Sequence, residues 1–126
     1  GYRDRVHGGI TASILDEVMG WVPSSEYRRL CYSIELNVKY RRPVIVGHTY
    51  RVEGKIVEVR RRATRTEARV VDEAGATVYA SATGVYRTFR RCADGFPRVS
   101  DRREGGELAR TRTSGRWSRR PVRTFL

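Results

Sequence analysis

Three consecutive residues, His7-Gly8-Gly9, stand directly before an apolar stretch that carries an acid, Asp16, nine residues after the histidine. A glycine turn lets backbone approach a ligand closely. The N–H groups in the first turn of a helix lack intrahelical acceptors, so such a junction is suited to polarising a carbonyl oxygen. Asp16 is flanked by Ile14, Leu15, Val18 and Met19. A carboxylate in that company is expected to be partly desolvated and kept for chemistry rather than solubility. Turn, helix and acid together point to acyl transfer.

These residues need a helix and something for it to lie against. Residues 10–21 read as a helix, with apolar side chains at Ile10, Ile14, Leu15, Val18, Met19 and Trp21. So broad a stripe predicts an enclosed helix, closed by Gly20 and Pro23. Four strand-like segments follow. Tyr32, Ile34, Leu36, Val38 and Tyr40 alternate with polar residues at a period of two. The second segment runs from Thr49 to Arg61 and changes parity near Gly54, which predicts a bulge there. The third is Ala63 to Val71, and Asp72-Glu73-Ala74-Gly75 makes a hairpin turn into the fourth, Thr77 to Phe89. Ala80, Ala82 and Gly84 make one face of that last strand small, as though another element lies close against it. One helix followed by a meander of long strands predicts an α+β fold, an antiparallel sheet wrapped around a helix. Beyond residue 90 the periodicity disappears, so the expected division is a folded domain over 1–90 and a basic, disordered tail over 91–126.

The chain has 126 residues and a formal net charge of +12. That charge could serve a polyanion, but more than half of the excess lies in the 90–126 segment, and nearly all of it is arginine. Nucleic acid is therefore not the expected partner, and a nucleotide-bearing small molecule would satisfy the charge as well. No stretch reads as a membrane span or a signal peptide. Cys31 and Cys92 form neither a metal spacing nor a redox motif, so two free thiols in a reducing cytoplasm are expected, with no metal.

Taken in order, His7-Gly8-Gly9, Asp16-Glu17, Glu35-Leu36-Asn37-Val38-Lys39-Tyr40, Arg42-Pro43-Val44 and Gly47 resemble the hotdog-fold acyl-CoA thioesterases, in particular the phenylacetyl-CoA and 4-hydroxybenzoyl-CoA thioesterase-like branch. The resemblance covers residues 1 to about 89. It implies a hotdog fold, with a first strand expected upstream of the residues present. It also implies hydrolysis of a thioester to a free acid and coenzyme A, with coenzyme A entering as part of the substrate and no cofactor needed. Active sites of that family lie between two subunits, so a homodimer or a dimer of dimers is implied, with Gly9 of one chain facing Asp16 of the other.

By that resemblance Asp16 acts as general base or nucleophile, and sequence does not separate the two. Gly9 presents its N–H to the thioester oxygen at the helix N-terminus, where the dipole favours developing negative charge. His7 shapes the turn, and Ser33 falls where related enzymes orient the attacking water. Each has a plainer reading: a helix-surface acid, a helix-start glycine, a histidine bonding its own loop, and a serine on the polar face of its strand. Glu17 points about 100° away from Asp16 on an ideal helix and is read as a surface or interface residue. Arg60-Arg61-Arg62 at a strand end, and Arg42, are candidates for the phosphates of coenzyme A, since arginine binds them bidentately; a solvated hairpin tip is the alternative. Two rival functions stay open. One is a non-catalytic hotdog module that binds acyl-CoA, and the other is nucleic-acid binding through the basic tail.

Overall fold

The computed structural model describes residues 3–91, 97–98 and 118–120. One helix, α1 (Gly8–Tyr27), lies against an antiparallel sheet. Its long strands are β1 (Cys31–Tyr40), β2 (Tyr50–Arg60), β3 (Ala63–Asp72) and β4 (Val78–Thr88). Two short strands, β5 (Arg90–Arg91) and β6 (Pro97–Arg98), pair with each other, and β7 (Ser118–Arg120) adds to the free side of β2. The segment expected to be a structureless tail thus contains β6 and β7, and its other residues from 92 onward lie outside the described ones.

The sheet order is β1-β4-β3-β2-β7. Only β2, β3 and β4 form the expected meander, because the connection after Tyr40 carries the chain across and β1 pairs with β4 instead of β2. Before the helix, residues 4–6 pair with the 44–46 segment through Val6 N–H to Val44 C=O (2.9 Å) and Val46 N–H to Asp4 C=O (3.0 Å). This contact fastens the entry to α1 onto the crossover.

The helix is longer than its sequence predicts. Gly20 and Pro23 do not close it; it continues to Tyr27 and ends on Arg28, which adopts a left-handed conformation at φ 50°. Pro23 removes an intrahelical hydrogen bond, a cost of about 3 kcal/mol in a helix interior. Its ring is buried, in line with Thr11, Leu15, Val18 and Met19 on the sheet-facing stripe, and that burial offsets the lost bond. The helix is also less enclosed than expected, because Ile10 and Trp21 lie outside that stripe and remain exposed.

The buried face of the sheet explains the close helix approach. Ala80, Ala82 and Gly84 on β4 lie opposite Val70, Ala68 and Thr66 on β3, and all six are buried. On β2 the expected bulge at Gly54 is absent. The register shifts at Val57, between the Ile56 and Glu58 pairings, which accounts for the parity change. Gly54 serves packing instead: a Cβ there would come within 2.9 Å of both Val18 Cγ1 and Val22 Cγ2. The opposite face of the sheet is polar and consumes part of the basic charge. Buried Glu53 is bonded by Arg51 (3.1 Å) and Arg69 (2.8 Å).

Candidate active site

Two clusters form along one helix. At its start His7 is the N-cap, in extended conformation at φ −61° and ψ 139°. Its carbonyl accepts from the N–H groups of Ile10 (3.0 Å) and Thr11 (3.2 Å), and its Nδ1 accepts from the Gly9 N–H (3.0 Å). The ring therefore turns back on its own helix. His7 thus caps the helix, and the Gly9 N–H is engaged by its side chain. Of the four donors in the first turn, Gly8 is the one that His7 does not engage.

Tyr40, the last residue of β1, fixes the Gly8 peptide from the other side. Its hydroxyl donates to the Gly8 carbonyl (2.8 Å), and a Cβ on Gly8 would lie 3.3 Å from the Tyr40 ring. Tyr40 and Arg42 line an open depression of about 340 Å³ beside this turn, together with Val6, Thr11 and Pro43.

The second cluster surrounds Asp16, which is seven residues beyond Gly9, or about 10 Å along a helix axis. Asp16 is half-buried, and Tyr86 on β4 donates its hydroxyl to Asp16 Oδ1 at 2.6 Å, with the Asp16 carbonyl 3.1 Å away. The Tyr86 side chain lies in the core at 3% exposure. Room for its ring comes from Gly84, where a Cβ would approach Tyr86 Cε2 to 2.8 Å. Burial pushes the Tyr86 phenol well above the ordinary tyrosine value, and the hydrogen bond to Asp16 and the charges of Asp16 and Glu17 push it further. The phenol is consequently a fixed proton donor.

Tyr86 stands in a row of hydroxyl-bearing residues across the helix-facing side of the sheet. It lies opposite Ser33 on β1 and opposite Thr64 on β3. Ser33 reaches this row through a bulge: Ser33 pairs with Tyr86 and Glu35 with Val85, so Ile34 is the extra residue and parity reverses there. Ser33 thereby leaves the polar side that simple alternation assigns it and shares a face with Leu36, Val38 and Tyr40. Glu17 faces outward and accepts from the Trp21 indole N–H (2.6 Å), as a surface residue would.

The arginine candidates separate. Arg60, Arg61 and Arg62 occupy the β2–β3 turn, at the end of the sheet where Tyr86 and Ser33 lie, with Arg60 bonded to Glu58 (2.9 Å). Arg42 is at the other end, beside the His7 turn. The structure thus groups His7, Gly8, Gly9, Tyr40 and Arg42 at one end, and Asp16, Tyr86, Ser33 and the arginine triplet at the other. Tyr86 and Tyr40 were not predicted as site residues, since each reads simply as an apolar position in an alternating strand. Among the described residues, no group of three or more His, Cys, Asp or Glu could hold a metal ion, and no helix is long and apolar enough to cross a membrane. Cys31 is a free thiol whose ionisation burial makes harder, while Cys92 lies outside the described residues.

Residues 4–79 match the model of the thioesterase superfamily. Solved structures agree. A Bacillus halodurans protein determined with CoA is 30% identical, with a TM-score of 0.60 over 67% of this chain and 56% of that one. A thioesterase superfamily protein from Shewanella loihica is 25% identical, with a TM-score of 0.56 over 69% and 71% of the two chains. A Streptococcus mutans protein bound to acetyl CoA shares the fold at 19% identity, with a TM-score of 0.63 over 70% and 69%. The chain spans less than two thirds of the Bacillus protein's length. A search of curated proteins gives no significant match.

Proposed function

Because this chain belongs to the thioesterase superfamily, with its helix against an antiparallel sheet in the hotdog arrangement, we propose that it hydrolyses an acyl-CoA thioester to the free acid and coenzyme A. The observation that carries this reading is a half-buried carboxylate on α1, Asp16, held by the phenol of Tyr86 on β4. The Bacillus neighbour solved with CoA supports the class of substrate.

In this mechanism Asp16 is the general base. Its Oδ1 is engaged by Tyr86, and Oδ2 takes a proton from a water that Ser33 helps to orient. The water oxygen attacks the thioester carbon, and negative charge grows on the carbonyl oxygen. The Gly8–Gly9 turn meets that charge, with the Gly8 N–H as its available donor and the helix dipole behind it. Collapse of the intermediate breaks the C–S bond, and the proton held by Asp16 passes to the departing thiolate.

One chain cannot do this alone. A base and an oxyanion donor must both lie within about 3 Å of one reacting group, whereas Asp16 and Gly8 are about 12 Å apart along α1. A second copy would bring its own first turn to this Asp16, making a homodimer the minimum active unit. The exposed edge strand β1, with Ile34, Leu36 and Tyr40 at its surface, offers a place for self-pairing. Arg60–Arg62 or Arg42 would then bind the phosphates of coenzyme A.

The test is a hydrolysis screen over short, aromatic and long acyl-CoAs with wild type and Asp16→Asn. Turnover that the substitution lowers by about 10²-fold or more, with CoA binding kept, is the expected result. CoA binding with no hydrolysis in wild type would identify a binding module instead.

A further inference from the structure

We infer that Tyr86 is a positioning residue for Asp16, holding one carboxylate oxygen by hydrogen bond so that the other is presented to the reacting water. This rests on the thioesterase reading above. The geometry that carries it has three independent parts. The contact is short, 2.6 Å from phenol to Oδ1, in the range of a charge-assisted O–H···O⁻ bond. The donor residue is buried, while the acceptor is only half-buried, so the bond points from core to site. The surrounding backbone is shaped for the ring: a Cβ on Gly84 would meet it at 2.8 Å, and one on Gly20 at 3.4 Å.

No competing charge on the neighbouring elements explains the arrangement. Toward this part of the helix β1 presents Ser33, β3 presents Thr64 and β2 presents Ile56 and Val59, while Glu17 on α1 is bonded to Trp21. Tyr86 is therefore the titratable group from the sheet that reaches Asp16. Its work is to fix the plane of the carboxylate. When Oδ2 takes a proton from water, the bond to Oδ1 changes from charge-assisted to neutral and weakens, which eases release of that proton to the leaving thiolate.

Tyr86→Phe keeps the ring and removes the donor. In a dimeric, folded variant the expected result is a kcat about tenfold lower with KM unchanged. Carboxylate-labelled aspartate followed by NMR gives a readout that does not need turnover: the Asp16 side-chain resonance shifts in Tyr86→Phe, while those of aspartates distant from Tyr86 stay in place. A lower rate with the Asp16 resonance unmoved would mean that Tyr86 only packs, and would overturn the inference. A moved Asp16 resonance in a protein whose wild type hydrolyses no acyl-CoA would instead sink the thioesterase reading and leave the Asp16–Tyr86 contact standing.

Discussion

Ser33 lies directly opposite Tyr86 across the β1–β4 ladder, and it does so only because Ile34 bulges out of β1. Were β1 to pair with no bulge, Ile34 would stand opposite Tyr86 and Ser33 would share a face with Asn37 and Lys39, away from the helix. The bulge places a hydroxyl beside the residue that holds the carboxylate. Bulges next to active sites commonly re-aim side chains in this way.

Ser33→Ala should therefore lower kcat about tenfold with little change in melting temperature, since the side chain is exposed and its loss leaves no buried cavity. Deleting Ile34 should cost less activity than Ser33→Ala, because it removes the unpaired residue and leaves Ser33 opposite Tyr86 in a regular ladder. Steady-state kinetics and thermal melts on both variants check this. Wild-type activity in Ser33→Ala would refute the role.

His7→Ala removes an N-cap acceptor and should destabilise the protein by about 1 kcal/mol in urea unfolding. It should also lower kcat, because the Gly8–Gly9 peptide loses the partner that holds it on the side opposite Tyr40. His7→Asn, which can accept the same bond, should recover most of the stability.

Stability should fall above about pH 10, and Tyr86 should account for part of the fall. Its folded value is raised, first by burial, then by the bond to Asp16 and the nearby carboxylate charges. In the unfolded chain the phenol releases its proton near the ordinary value, whereas the folded chain retains it. Unfolding is then accompanied by proton release, which rising pH favours. The stabilisation is complete below the unfolded value and declines as pH climbs toward the folded one. Denaturant titrations from pH 8 to 11 should show a shallower alkaline decline in Tyr86→Phe.

Gly54→Ala should cost about 1–3 kcal/mol, since the added methyl meets both Val18 and Val22 within 2.9 Å and the helix must shift to admit it. A neutral substitution in a calorimetric melt would show that α1 is not held against β2 as closely as described.

Much of the architecture is legible in the sequence, and what is hidden has identifiable causes. Alternation revealed the strands because each has one face on the helix, and the small residues Ala80, Ala82 and Gly84 correctly announced a close neighbour. Helix length is hidden in the sequence because Gly20 and Pro23 are intrinsic breakers, and only tertiary burial of Pro23 overrides them. The bulges at Ile34 and Val57 are invisible to a period-of-two reading, which registers a change of parity without locating the inserted residue. His7 and Asp16 stood out by type and spacing. Tyr86 did not, because a tyrosine in a strand looks like core until its hydroxyl is seen to reach a residue 70 positions away.

The separation of the two clusters along α1 also has a genetic consequence. Where a site is assembled from the first turn of one copy and the carboxylate of another, damage to the two halves is not additive across subunits. A chain altered at the His7-Gly8-Gly9 turn and a chain altered at Asp16 would each be inactive alone, yet a mixed pair retains one site built from an intact turn and an intact acid. Co-expression of the two variants should therefore restore activity that neither possesses, a complementation that a site contained within one chain could not give.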